Sequence, residues 1–262
     1  MSEPVVRNAV KERLAKGEVA SSMTVRLTRG VEIARLAATA GFDSLYIDLE
    51  HSSLSLETTS QICVAALSVG IAPFARVPQV ALIQRVLDGG ALGIIAPDIR
   101  NAEQAREIVR AAKYPPLGKR GYGSGLAQFG FRSPPTTTHY RVLNEATMVI
   151  VQFESAEAID RAEEIFAVEG VDMALFGTND LTADMGIPGE YDHPRVRDAY
   201  VRAIAAAKKH GKHVGIGGLA TRPKLTAEFV KMGARYVSTG TDLGFLLSAA
   251  TEQAKVVRGL EV

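Results

Sequence analysis

Eight short apolar runs alternate with helical patterns along the chain, and this alternation restricts the fold more than any other feature. The runs are rich in Val, Ile and Leu, which is typical of parallel strands buried on both faces. They comprise residues 19–27, 44–50, 72–78, 93–99, 147–154, 172–178, 213–219 and 234–240. Such units in 262 residues predict an α/β chain with one (β/α)₈ TIM barrel domain over residues 1–262, since these barrels take about 250 residues.

An open, doubly wound sheet is the arrangement that competes with a closed barrel. Such sheets bind dinucleotides through a Gly-x-Gly-x-x-Gly turn after the first strand. The first unit of this chain lacks that turn, and the spacing of the units stays regular to the end. The closed barrel is therefore favoured, with one amphipathic helix before the first strand and another after the last.

The charge balance and the single cysteine limit the partners and the compartment. The chain has 30 Lys and Arg against 29 Asp and Glu, with no basic stripe that would indicate a nucleic-acid partner. Cys63 is the only cysteine, so no intrachain disulfide forms and a reducing compartment is expected. The N-terminus has no apolar signal core, and the interrupted apolar stretch 62–75 is shorter than the roughly 20 residues of a spanning helix. We expect a soluble, cytoplasmic protein with no membrane partner.

Polar side chains follow several of the predicted strands at the point where each strand ends. Catalytic groups of barrel enzymes lie at these carboxyl ends, which together form one mouth. The chain places carboxylates, amides and an imidazole there, and a guanidinium lies late in the third strand. These residues are Asp48, Glu50, His51, Arg76, Asp98, Gln152, Glu154, Asn179 and Asp180. Their convergence predicts an active site at the mouth.

Glu154 and Asp180 come from consecutive units and carry hard oxygen donors. Carboxylates suit Mg²⁺ or Mn²⁺, and Mg²⁺ commonly keeps only one or two protein carboxylates, with its other positions left for water and substrate. Asp180 could instead be a helix N-cap before the sequence LTADMG. Glu154 has a weaker alternative because it ends a core strand, so the pair together favours a metal site.

His51 and Arg76 are the other candidate catalytic residues. His51 is the only one of five histidines beside carboxylates at a strand end, where a neighbouring acid could orient it as a base. Arg76 has two possible roles: it is either one half of a structural ion pair or a donor to a developing oxyanion. No lysine projects from the carboxyl end of a strand, and Cys63 falls on a predicted helix, so neither a Schiff base nor a thiol nucleophile is expected.

Several of these stretches together resemble one known family. They are GFDSLYIDLEHSS, the arginine of ARVP, VLDGGALGIIAPDIRNAEQA, KYPPLGKRGYG, VQFES and LFGTNDLTADMG followed by HP, and they lie between about residues 40 and 195. The ordered set is more specific than any one piece. It resembles the HpcH/HpaI family of metal-dependent pyruvate aldolases.

The resemblance assigns roles to most of the polar residues of the mouth, though not to Asp98. It implies a divalent cation, Mg²⁺, Mn²⁺ or Co²⁺, on Glu154 and Asp180, with no organic cofactor. His51 would act as the base, and Asp88 would raise its basicity. The remaining implied roles are substrate contact for Arg76, Gln152, Asn179 and Asp180, transition-state stabilisation for Arg76, and support from Asp48 and Glu50.

The activity implied by the resemblance is that of an aldehyde-lyase in the catabolism of aromatic compounds. Such an enzyme reversibly cleaves 4-hydroxy-2-oxo acids to pyruvate, or a close analogue such as hydroxypyruvate, and an aldehyde through a metal-stabilised enolate. The family also suggests a homohexamer, a trimer of dimers, with exchanged C-terminal helices and sites at subunit interfaces.

Other functions are compatible with the same residues. A different metal-enolate lyase of this barrel type, an oxaloacetate decarboxylase or an acyl-CoA lyase, would use the same cation. The sequences GIGGL and STGTD after the last two strands fit a phosphosugar-binding barrel, or simply tight turns that need glycine. A non-catalytic keto-acid binder is less favoured because binding alone requires no base beside the metal.

Residues 118–140 interrupt the regular pattern with a segment rich in Gly, Pro and aromatic residues. Long insertions in compact domains are usually functional or mobile. We expect this segment to cover the mouth or to contact a neighbouring subunit, with a solvated surface loop as the alternative.

Overall fold

Eight parallel strands form a closed barrel in the computed structural model, which describes residues 5–260. The strands are β1 (Ala20–Val25), β2 (Ser44–Asp48), β3 (Ala72–Arg76), β4 (Gly93–Ala96), β5 (Met148–Phe153), β6 (Met173–Gly177), β7 (His213–Gly217) and β8 (Tyr236–Thr241). Each strand pairs with the next in sequence, and β8 returns to pair with β1. The predicted barrel and all eight predicted strands are confirmed.

Helices surround the barrel and connect its strands. They are α1 (Ala9–Ala15), α2 (Glu32–Thr39), α3 (Leu56–Val69), α4 (Val80–Asp88), α5 (Ala102–Ala112), α6 (Thr136–Ala146), α7 (Ala156–Asp160), α8 (Ala162–Phe166), α9 (Thr178–Asp184), α10 (Pro194–Lys209), α11 (Pro223–Met232) and α12 (Asp242–Arg258). A 3-10 turn spans Ala127–Phe129. Within residues 5–260, none of the helices combines the length and the apolar character that crossing a membrane requires.

Alternation along the strands decides which side chains face the barrel interior. Successive residues of a strand point to opposite faces. Tyr46, Phe74 and Ile150 pack together inside the barrel, whereas Leu45, Ala75 and Val151 belong to the outer core beneath the helices. The next inward positions along the same strands hold polar residues, Asp48, Arg76 and Gln152. The apolar interior therefore forms a floor on which the polar groups of the mouth stand.

Helix α1 lies across the amino-terminal end of the barrel, opposite the mouth. Its Val10 and Leu14 are buried against the interior cluster. The Asn8 side chain caps α1 by accepting from the Lys11 N–H, and its amide donates to the carbonyl of Ala146 at 2.8 Å. These contacts confirm an amphipathic N-terminal helix.

Helix α12 leaves most of its apolar side chains uncovered. Asp242 is its only buried residue, and Leu246, Leu247 and Val257 are each more than half exposed. Phe245 contacts Phe42, with ring centroids 6.1 Å apart. The predicted amphipathic last helix is present, and its exchange with a partner subunit stays a prediction.

The segment 118–140 packs against the side of the barrel. Its Leu126 and Phe129 form a small buried cluster with Tyr114, Val142 and Leu143, while Phe131 is exposed. No residue of this segment lines the cavity at the mouth among the residues described. It therefore does not cover the mouth of its own barrel, and a contact with a neighbouring subunit stays a prediction.

Candidate active site

A cavity of about 730 Å³ opens at the carboxyl ends of the strands. Pockets for small ligands commonly have volumes of about 300–1,000 Å³. Seven of the residues predicted from sequence line it: Asp48, His51, Arg76, Gln152, Glu154, Asn179 and Asp180. Glu50 contacts Arg76 just outside this lining, and Asp88 lies elsewhere. The structure thus brings together the groups that the strand ends predicted.

Asp48 and Arg76 form a buried ion pair beneath this cavity. Arg76 donates from Nε to Asp48 Oδ1 at 2.9 Å and from Nη2 to Oδ2 at 2.7 Å, and its Nη1 lies 2.8 Å from Glu50 Oε2. Burial alone would raise the pKa of Asp48, but the Arg76 guanidinium and the backbone N–H groups of His51 and Glu50 hold it below its usual value. The sequence was compatible with two roles for Arg76, half of a structural ion pair or a donor to an oxyanion. The structure shows the ion pair.

His51 stands at the rim of the cavity on the turn after β2. Its Nε2 lies 3.7 Å from Glu50 Oε2, and its side chain is about half exposed. Its backbone is held from two sides, because its N–H donates to Asp48 Oδ1 at 3.1 Å and its carbonyl accepts from Arg26 Nη2 at 3.0 Å. The imidazole is therefore accessible to a substrate while its backbone is fixed.

Glu154 faces the cavity on the opposite side of the barrel. Burial, and then the nearby negative charge of Asp180, raise its pKa to about 7 against a lowering hydrogen bond from the Asp98 N–H. That N–H lies 2.8 Å from Glu154 Oε2, and Asp98 adopts a left-handed backbone with φ of 49°. A Cβ on Gly177 would lie 2.5 Å from Glu154 Oε1, so a side chain at this position would force the carboxylate to move.

Asp180 lies in the first turn of α9 and lines the cavity. The residue before that helix is Gly177, and no side chain caps it. The N-cap alternative for Asp180 is therefore wrong. The neighbouring Asn179 also lines the cavity, and its Oδ1 accepts a hydrogen bond from the Tyr191 hydroxyl at 2.7 Å.

Glu154 and Asp180 fit a divalent cation by the chemistry of their donors. Two carboxylates face one cavity, and their mutual repulsion is one cause of the raised Glu154 pKa, so a cation between them would relieve it. The buried Gln152 Oε1 beside them has no hydrogen-bond partner within the part of the chain that the structure describes. No group of three or more His, Cys, Asp or Glu suited to a metal occurs among residues 5–260, so the remaining ligands of such a cation would come from water and substrate.

Asp88 is a predicted site residue that the structure does not bring to the cavity, whereas Glu50 and Asp98 stand outside its lining but contact residues that line it. It ends α4, and its Oδ1 lies 2.7 Å from Nη2 of the buried Arg120. Gln84 is its other side-chain neighbour. An effect of Asp88 on His51 within one chain is therefore not supported, and its role stays a prediction that would involve a second copy of the chain.

Arg26 and Asp242 are functional candidates that sequence reasoning missed. Arg26 follows β1 and lines the cavity, and its Nε lies 3.1 Å from Asp48 Oδ2. The Asp242 carboxylate accepts from the backbone N–H groups of Arg26, Leu27, Thr28 and Leu243. The strand-end rule would have found Arg26 had the first apolar run been ended at Val25. Asp242 is the last residue of STGTD, and that sequence was interpreted only as a phosphate-binding loop or a tight turn.

Comparison with known proteins decides the family. Residues 22–249 match the family model described as HpcH/HpaI aldolase/citrate lyase. The chain belongs to this family. The resemblance found in the sequence is thereby confirmed, and so is the prediction of an aldolase.

Several aldolases resemble the chain over nearly its full length. It is 38% identical to a 4-hydroxy-4-methyl-2-oxoglutarate aldolase from Hapsidospora irregularis, over 97% of this chain and 96% of the relative. It is 34% identical to a 2-keto-3-deoxy-L-rhamnonate aldolase from Escherichia coli, over 95% and 92% of the two chains. The crystal structure of an HpcH/HpaI aldolase from Desulfitobacterium hafniense DCB-2 superimposes with a TM-score of 0.91 at 31% identity and covers 97% of this chain and 98% of that chain.

Proposed function

We propose that the cavity reversibly cleaves 4-hydroxy-2-oxo acids into pyruvate, or a close analogue such as hydroxypyruvate, and a second carbonyl compound. The observation that carries this is the placement of Glu154 and Asp180 in one cavity with His51 and Arg76. Two carboxylates suit a cation that a 2-oxo acid also chelates, and an imidazole across the cavity suits removal of a hydroxyl proton. Aldol cleavage needs both functions at once.

Glu154 and Asp180 would hold the cation, which is Mg²⁺, Mn²⁺ or Co²⁺ in this proposal. When bound, it would polarise the 2-oxo acid and stabilise the enolate that cleavage releases, a contribution of several kcal/mol. Gln152 would donate its amide N–H or accept through its unpartnered Oε1 next to the keto acid. The backbone around Asn179, at the start of α9, would contact the substrate carboxylate.

His51 would take the proton of the C4 hydroxyl. Glu50 Oε2, 3.7 Å from His51 Nε2, would stabilise the imidazolium that results. All three guanidinium nitrogens of Arg76 are already engaged by Asp48 and Glu50. Arg76 would therefore act on the developing enolate through its fixed positive charge, and Asp48 would keep that charge in place.

The same residues bear on the competing functions. Oxaloacetate decarboxylation passes through the same enolate and needs no hydroxyl proton removed, so it would accompany aldol cleavage. An acyl-CoA lyase would require cationic side chains for the CoA phosphates. Among the described residues, Arg26 and Arg76 are the only arginines or lysines in the cavity lining. This lining favours the aldolase over the acyl-CoA lyase.

We also propose that the chain acts as a cytoplasmic homohexamer. The exposed apolar side chains of α12, including Leu246, Leu247 and Val257, support a contact with another copy. Such a contact could bring Asp88 of another copy toward His51. Light scattering of the purified chain measures the mass, and a monomer at working concentrations would contradict the assembly.

The decisive experiment assays pyruvate from a 4-hydroxy-2-oxo acid in the presence of Mg²⁺, Mn²⁺ or Co²⁺. EDTA should abolish turnover, and borohydride with substrate should trap no lysine adduct. Glu154→Ala should lose metal-dependent activity, whereas the control Glu157→Ala, whose side chain pairs with the exposed Arg100 and Arg161, should retain it. Activity that persists in EDTA, or a trapped adduct, would reject the proposal.

A further inference from the structure

Arg26 is a cationic residue of the cavity to which neither the sequence nor the family resemblance gave a role. It follows β1 at the mouth, and its side chain is 37% exposed. Its Nε and Nη2 donate to the His51 carbonyl at 3.2 and 3.0 Å, and Nε also lies 3.1 Å from Asp48 Oδ2. Arg26 thus lies directly beside the residue proposed to act on the C4 hydroxyl.

The backbone of Arg26 is fixed by an acid from the other end of the chain. Asp242 at the start of α12 accepts from the Arg26 N–H at 3.0 Å and from the Thr28 N–H at 2.7 Å. The side chain is fixed in turn by the carbonyl of His51. A guanidinium held in this way loses little conformational freedom when it binds a further group.

Arg26 retains a free donor edge, whereas Arg76 does not. No partner of Arg26 Nη1 occurs within the described part of the chain. Asp48 already receives both Nε and Nη2 of Arg76, so Arg26 is not needed to satisfy that carboxylate. Arg26 is therefore a cation of the cavity lining whose Nη1 remains free for a further hydrogen bond within the described part of the chain.

The barrel order places Arg26 at the far end of the substrate from the proposed cation. β1 lies across the barrel from β5, and β2 from β6, because three strands separate the members of each pair on either side of the closed barrel. A substrate whose 2-oxo acid lies at Glu154 and Asp180, and whose C4 hydroxyl lies at His51, presents its C4 substituent to Arg26. A carboxylate at that carbon matches the guanidinium in charge and in hydrogen-bonding geometry.

We propose that Arg26 binds a carboxylate on C4, so that the preferred substrates are 4-hydroxy-2-oxo diacids whose second fragment is itself a 2-oxo acid. This inference rests on the proposed function. Cleavage breaks the C3–C4 bond, whose electron pair remains on C3 as an enolate, while His51 takes the hydroxyl proton and C4 becomes a carbonyl carbon. Protonation of C3 completes one pyruvate, and no oxidant or reductant is required. With a methyl group on C4, both products are pyruvate.

The names of the two aldolase relatives describe substrates that differ in the group on C4. The name 4-hydroxy-4-methyl-2-oxoglutarate describes a diacid with its second carboxylate on C4, whereas 2-keto-3-deoxy-L-rhamnonate has one carboxylate. Similarity to both leaves the second fragment open. The free edge of Arg26 is what favours the diacid.

The test compares two substrates that differ only in the group on C4. Cleavage of 4-hydroxy-2-oxoglutarate, with a carboxylate there, is measured against 4-hydroxy-2-oxopentanoate, with a methyl, at saturating Mn²⁺. We expect wild-type kcat/KM to favour the diacid, and Arg26→Gln to reduce that preference by about ten- to hundredfold, the range for a hydrogen bond to a charged group. Arg26→Lys keeps the charge without the fork and should retain part of the preference.

Arg29→Gln is the matched control. Arg29 lies three residues further along the same loop, outside the cavity lining, and bonds to Ser53 Oγ and to the Leu27 carbonyl. The Arg29→Gln variant loses the same positive charge as Arg26→Gln and should leave the preference between the two substrates at its wild-type value.

The outcomes separate this inference from the function on which it rests. A structural role of Arg26, through His51 and Asp48, would lower both rates by the same factor and leave their ratio unchanged, which would overturn the inference. A wild-type preference for the monoacid would overturn it without any variant. Both of those results leave metal-dependent aldol cleavage standing, whereas failure of the wild type to cleave either substrate would overturn the proposed function and the inference together.

Discussion

Arg76 and Asp48 are direct partners across β2 and β3, and two hydrogen bonds of 2.9 and 2.7 Å join their side chains in the barrel interior. The pair is buried, with Asp48 fully inaccessible to solvent. Opposite charges taken out of water depend on each other, because loss of one leaves the other without compensation. The contact is therefore structural as well as electrostatic, and it sets the position of the charge proposed to act on the enolate.

Asp48→Asn should destabilise the fold by about 3 kcal/mol, the lower end of the range for removing one member of a buried pair, since Glu50 still compensates Arg76. Urea denaturation measures the change. The control Asp98→Asn removes an acid paired with the exposed Arg100 and should cost at most about 1 kcal/mol. Asn also tolerates the left-handed conformation found at Asp98. Equal losses in the two variants would contradict a special role for the buried pair.

Asp242→Asn should weaken both the fold and the active site. The carboxylate accepts four backbone N–H groups, so its loss should cost about 1–3 kcal/mol of unfolding free energy and release the loop that carries Arg26. Glu252→Gln, an exposed change on the same helix, is the control for lost charge and should have little effect. Thermal unfolding and aldolase activity are the measurements, and an unaffected activity would contradict the link from Asp242 to the mouth.

Asp242→Asn should also change how the free energy of unfolding depends on pH in the acid range. Burial would raise the pKa of Asp242, but the backbone N–H groups of Arg26, Thr28 and Leu243 lower it below its usual value. The folded state thus binds fewer protons than the unfolded state near pH 3.8, so this stabilisation is present above that pH and is lost as the pH falls through the folded pKa. Unfolding free energy should fall less steeply with acid in Asp242→Asn than in the wild type. Parallel acid limbs would contradict the lowered pKa.

The barrel and the gathering of the site were predictable because both follow from short-range patterns. Apolar runs and helical periods identify strands and helices locally, and parallel strands in a barrel bring all their carboxyl ends to one mouth. Glu154 and Asp180 could therefore be placed in one cavity without knowledge of any contact. Their distance in sequence did not matter once the strand order was assumed.

The contacts within the site were not predictable, because they depend on register and on loop geometry. Arg76 meets Asp48 only because the two strands pair in a particular register, and sequence gives no local sign of it. Asp242 lies more than 200 residues from the loop that it holds at Arg26. Asp88 was expected to raise the basicity of His51, but within one chain its carboxylate meets Arg120, and that role stays a prediction.

Gly177→Ala should disturb the proposed cation site while leaving the barrel folded. A Cβ at this position would lie 2.5 Å from Glu154 Oε1, closer than real Cβ contacts allow, so the carboxylate must move. We expect at least a tenfold loss of metal-dependent kcat/KM and a weaker response of the melting temperature to Mn²⁺. Gly123→Ala, in the surface segment and 3.4 Å from the nearest atom, is the control and should behave like the wild type. An unchanged Mn²⁺ response in Gly177→Ala would contradict the proposed dependence of cation binding on the present position of the Glu154 carboxylate.

His51→Ala should separate two reactions that share an enolate. Aldol cleavage requires removal of the C4 hydroxyl proton, whereas decarboxylation of oxaloacetate does not, so the variant should lose cleavage by about 10²- to 10⁴-fold and decarboxylation by much less. The control His210→Ala changes a histidine at the C-terminal end of α10, outside the cavity lining, and should preserve both rates. Steady-state assays of pyruvate release at saturating Mn²⁺ supply both numbers. Because Arg76, Glu154 and Asp180 remain in the variant, the residual decarboxylation also reports whether the cation site is intact. A loss of both reactions to the same extent would mean that His51 supports the site rather than moves the proton.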